Sequence, residues 1–165
     1  MSIPHRLSHL NHSAAATGTT TDVGRAAHHA PVLFAQLSDD AAARLLSLFE
    51  QIEQSLAVLR SLAGIVLVGP AAVPTGQPLR AWLAPNARQA EAAIHDLRGL
   101  GLIASPALTE LSQHLTVLVL AADMLSNGQL TGSDTLVFYE LLQRNAEGAI
   151  RALSHLRALT GVESA

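Results

Sequence analysis

A chain of 165 residues is long enough for one domain with a real core. Ala and Leu supply most of its 49% apolar content and only 3% is aromatic, so composition predicts an all-α protein. A formal charge of −3 gives no electrostatic case for nucleic acid or an anionic membrane, and the lack of cysteine excludes disulfides, zinc–thiolate sites and thiol catalysis.

Residues 1–36 have no helical or strand period and include the low-complexity run Ala14-Ala15-Ala16-Thr17-Gly18-Thr19-Thr20-Thr21. They read as a disordered or weakly ordered arm. Its five histidines, His5, His9, His12, His28 and His29, lack neighbouring carboxylates and read as a solvated tail, with no metal site expected. The N-terminus has no continuous apolar core of the signal-peptide kind. The apolar runs 62–73 and 115–125 are too short to span a bilayer, so the expectation is a cytoplasmic protein without membrane contact.

Residues 37–161 are expected to form a helical bundle domain, with a first helical pair over 37–104 and a helical hairpin over 105–161. Ser38 is a good N-cap, and Asp39 and Asp40 place negative charge where the helix dipole favours it. Leu37 and Ala42 have the placement of a modest hydrophobic staple. Leu45, Leu48, Ile52, Leu56, Leu59 and Ala63 then repeat at steps of three and four along one face. Gly64 is expected to end or weaken this helix, leaving Ile65–Val68 open between a short strand and a helix tail. Pro70, Pro74, Gly76 and Pro78 predict a loop. A second helix starts near Leu79 or after Pro85, with Leu83, Ala87, Ala90, Ile94, Leu97 and Gly101 on one side and Trp82 anchoring the loop.

Ser105-Pro106 supplies an N-cap and an N1 proline for a third helix. Its seam is Leu108, Leu111, Leu115, Leu118, Ala122 and Leu125, and Asn127-Gly128 ends it. A fourth helix opens at Gly132-Ser133-Asp134, with Tyr139, Leu142, Ala146, Ala149, Leu153, Leu156 and Thr160 on its seam. Strict alternation of three and four is a coiled-coil-like pattern, and the short connection makes the two helices antiparallel neighbours. Leu120, Leu141, Ile150 and Leu159 flank the seam. The hairpin must therefore pack on the first two helices, on a second copy, or on both.

The run Thr109-Glu110-Leu111-Ser112-Gln113-His114-Leu115-Thr116-Val117-Leu118, continuing to Ala122-Asp123-Met124-Leu125, resembles the phosphoacceptor helix of sensor histidine kinases. The run Leu142-Gln143-Arg144-Asn145-Ala146-Glu147-Gly148-Ala149-Ile150-Arg151 is similar to that family's return helix. Together they cover about 55 residues in one register, judged by the alternating leucine repeat of a helical hairpin. The resemblance implies a dimerising four-helix bundle, made from two hairpins as a homodimer, and a response-regulator receiver docked beside the hairpin.

In that register the family's phosphoacceptor histidine falls on Thr109, which lies off the seam. A hydroxyl cannot replace the imidazole lone pair, so autophosphorylation at this position is disfavoured. The leading expectation is a non-catalytic dimerisation and protein-interaction module. The alternative is a phosphotransfer or phosphatase accessory acting on a receiver. It would use His114 as phosphoacceptor, or Glu110 with Gln113, one turn apart, to orient water. No phosphate loop or nucleophile elbow occurs, no cofactor is expected, and His95-Asp96 and His155 read as surface residues.

Overall fold

The computed structural model describes residues 38–69, 77–100 and 105–161. The expected arm, the Leu37 half of the staple, Pro70, Pro74 and Gly76 of the expected loop, and Gly101 lie outside the described residues. Pro78, expected in that loop, instead lies in the first turn of the second helix, where its missing N–H costs no helical bond. Four helices carry the fold: α1 (Asp39–Val68), α2 (Gln77–Gly99), α3 (Pro106–Ser126) and α4 (Ser133–Thr160). No strand occurs among the described residues. Each helix packs on two others, α1 and α3 both lying between α2 and α4, so the four close a square bundle within one chain.

Local signals set the helix ends. The Ser38 hydroxyl accepts from the Ala41 N–H at 3.3 Å, and the Ser105 hydroxyl accepts from the Leu108 N–H at 3.2 Å. Pro106 follows in the first turn of α3, where its missing N–H costs nothing. Asn127 caps α3 and Gly128 takes φ +66°, while Gly161 ends α4 at φ +69°. Both glycines occupy left-handed backbone that a Cβ would strain.

Two boundary expectations shift. α1 runs through Gly64 to Val68, so Ile65–Val68 is the tail of the helix rather than a strand. Helical hydrogen bonding continues there because Val66 and Leu67 pack against the core, outweighing the roughly 1 kcal/mol that glycine costs a helix. That extension also makes α1, by length and composition alone, long and apolar enough to cross a membrane. The second shift is in α2, which starts at Gln77 and keeps Pro85 inside. A proline there removes one backbone donor. The carbonyl left without its helical donor is that of Ala81, and the Asn86 side chain donates to the neighbouring Trp82 carbonyl at 2.7 Å. Trp82 itself is 62% exposed on α2 and takes no part in the described core.

All the seam positions are buried: Leu108, Leu111, Leu115, Leu118, Ala122 and Leu125 on α3, and Tyr139, Leu142, Ala146, Ala149, Leu153, Leu156 and Thr160 on α4. So are Leu45, Leu48, Ile52, Leu56, Leu59 and Ala63 on α1, and Leu83, Ala87, Ala90, Ile94 and Leu97 on α2. Phe49, outside the predicted α1 stripe, is also fully buried, and the Arg157 guanidinium of α4 lies 5.6 Å over its ring. Arg157 pairs with Glu53 at 2.8 Å, tying α4 to α1. Arg88 with Asp123 at 2.9 Å, and Arg98 with Ser112 at 2.6 Å, tie α2 to α3. The Ser126 hydroxyl also donates to the Arg80 carbonyl at 3.0 Å, so the start of α2 meets the end of α3 while Arg98 at the end of α2 meets Ser112 near the start of α3, as antiparallel neighbours require.

Within the chain, α1 packs on α4 and α2 on α3, so these two helices cover the α3–α4 pair. A homodimer joined at the α3–α4 seam would have to displace α1 and α2 from it. Leu141, Ile150 and Leu159 pack half-buried against the core, whereas Leu120 stays 61% exposed.

Candidate functional site

The polar residues singled out on α3 separate into two settings. Thr109, Glu110 and Gln113 are exposed near the helix start. Thr109 donates its hydroxyl to the Ser105 carbonyl at 3.4 Å, a local bond within the first turn. Gln113 makes no side-chain hydrogen bond among the described residues that would fix it beside Glu110. The pair shares a face as the spacing requires, but nothing aims the two groups at one point.

His114 is held differently. Its side chain is 28% exposed and lies against Gly148 of α4. A Cβ at Gly148 would stand 2.9 Å from Nδ1 and closer still to Cε1 and Nε2. Only glycine leaves room for the ring. A glycine inside a 28-residue helix costs about 1 kcal/mol relative to alanine, so the imidazole occupies a slot made at some expense to α4.

Asn145, nearly one turn before Gly148, orients that ring. Its Nδ2 donates to the Leu141 carbonyl at 2.8 Å, which turns Oδ1 towards the imidazole. Nδ1 of His114 stands 3.0 Å from that oxygen. An amide oxygen only accepts, so Nδ1 is the donor in this contact, and the Nδ1–H tautomer leaves the lone pair on Nε2. Nε2 in turn lies 3.9 Å from Glu110 Oε1, one helical turn back, whose side chain is 58% exposed. The site is an imidazole of fixed orientation with one free nitrogen facing an accessible carboxylate.

Sequence reasoning found His114 and Glu110 but missed Asn145 and Gly148 as their supports. Both lay in the return-helix run, and a glycine inside a strong α-helical pattern was the available signal. Elsewhere, His95 and His155 are exposed as expected.

Two further surface features remain. A groove of about 360 Å³ runs between α2 and α3, lined by Arg88, His95, Arg98, Ser112 and Thr116 among others. Its two arginines are engaged by Asp123 and Ser112. On the outer side of α3–α4, Leu120 and Val137 are 61% and 58% exposed. Leu120 is six residues from the end of α3 and Val137 four into α4, so at about 1.5 Å per residue they stand at similar height.

Comparison with known protein families, with curated proteins and with solved structures finds no match for this chain.

Proposed function

We propose that the chain is a non-catalytic helical interaction module in signalling. Its α3–α4 hairpin would offer an outward face to a partner of the response-regulator receiver type. The observation that supports this reading is the division of α3. Its seam leucines are buried by the chain's own helices, while Leu120 of α3 and Val137 of α4 remain exposed. Large apolar side chains are also exposed on α1 and α2, Ile65, Val68 and Trp82 among them, so it is the kinase-like hairpin carrying Leu120 and Val137 that singles out this face. The receiver is suggested by the likeness of 105–161 to a kinase hairpin, and fold likeness alone does not fix function. Thr109 at the reactive position favours docking over phosphorylation.

The test is site-specific photocrosslinking in cells from position 120, with position 43 on the exposed side of α1 as control. Recovery of a receiver-domain protein from position 120 alone supports the proposal. The same products from both positions, or none from 120, would remove it.

A second reading, phosphoryl transfer or phosphatase assistance, draws on the oriented Nε2 of His114 and the exposed Glu110 and Gln113. Incubation with a phosphorylated receiver separates the two. Binding without label on His114 and without faster dephosphorylation leaves the docking role alone.

A further inference from the structure

The charge around Nε2 of His114 bears on what that nitrogen takes. Among the described residues the one charged group paired with this ring is the Glu110 carboxylate. A neutral imidazole beside a carboxylate carries net negative charge, which repels an incoming phosphoryl group and attracts a cation. Nε2 and Oε1 lie 3.9 Å apart. Metal bonds of about 2.0–2.2 Å from nitrogen and oxygen span that gap, and tetrahedral geometry needs only a small swing of the exposed Glu110 side chain. The other ring nitrogen donates to Asn145, as the outer N–H of a metal-bound histidine does, and this bond fixes both tautomer and direction. Gly148 packs against the ring on its Cε1–Nε2 side and so sets its position.

From this juxtaposition we propose that Glu110 and His114 form a two-ligand site for a borderline first-row divalent cation such as Zn²⁺, with Asn145 and Gly148 as positioning residues. Imidazole with carboxylate suits Zn²⁺, Ni²⁺ or Cu²⁺, whereas Mg²⁺ and Ca²⁺ require more oxygen ligands. Water completes the coordination, since no cluster of three or more His, Asp or Glu able to hold a metal occurs among the described residues.

The test is thermal unfolding of the full chain with and without Zn²⁺, with Mg²⁺ as control. A ligand that binds the folded state raises Tm. The chain carries seven other histidines, so the readout is the difference between wild type and variants. Expected are a Zn²⁺-dependent rise in wild type, its loss in both Glu110→Gln and His114→Gln, and binding about 10- to 100-fold weaker in Asn145→Ala. Glu110 is exposed, so Glu110→Gln leaves the fold intact and keeps the test decisive if His114→Gln is unstable. No rise in wild type, an equal rise in wild type and either ligand variant, or an equal rise with Mg²⁺ would overturn the site.

Discussion

The interface between α3 and α4 contains two kinds of contact, and they hold the hairpin in different ways. The leucine seam buries Leu111, Leu115 and Leu118 in one core with Leu142, Leu153 and the facing helices. Its energy comes from area removed from water, and neighbouring registers of a leucine repeat offer nearly the same area. The contact at His114 is small, yet it works at one register only. Gly148 must face the ring and Asn145 must meet Nδ1, and a shift of one helical turn loses both. The seam thus supplies stability while the slot supplies specificity, a division of labour known for isolated polar residues within apolar helix interfaces.

The seam side of this comparison is broken by Leu118→Ala. With the side chain fully buried, the loss is expected to be about 3–5 kcal/mol, read as a lower urea midpoint. A loss under 1 kcal/mol would mean that the seam is not packed as described.

Gly148→Ala addresses the slot. Helix propensity alone favours alanine by about 1 kcal/mol, but the added Cβ collides with the imidazole, so a net loss of about 1–3 kcal/mol is expected. In a His114→Ala background the same change should instead stabilise by up to about 1 kcal/mol. This reversal of sign in a double-mutant cycle is the sharpest signature of the slot.

Asn145→Ala removes the bond that orients the ring at a half-buried position. A cost of about 1 kcal/mol in chemical denaturation is expected. The smallest stability effect belongs to Leu120→Ser. Its side chain is mostly in water, so unfolding should move by less than about 0.5 kcal/mol, while capture of a partner from the α3–α4 face falls.

How much of this was legible in the sequence differs between the same two regions. The seam was readable residue by residue, because a three-and-four repeat of leucine and alanine has one physical outcome in a helix, burial. The caps at Ser38, Ser105 and Gly128 were readable for the same local reason. The helix through Gly64 and Pro85 was not. Glycine and proline weaken a helix locally, and only packing by Val66, Leu67 and the α2 core positions decides that the helix continues. The partner of the hairpin was also open in the sequence, since apolar flanks show that something covers the seam without showing what. In the structure that cover is α1–α2. The slot required two residues 31 and 34 positions from His114, and no local pattern pairs them.

That one chain fills its own seam is the central claim, and oligomeric state tests it most directly. Light scattering on the full chain at micromolar concentration, with helicity followed by circular dichroism, is expected to return the 17.3 kDa of a single helical chain. A helical species of twice that mass, dissociated by Leu118→Glu without loss of helix, would contradict it and return the seam to a dimer.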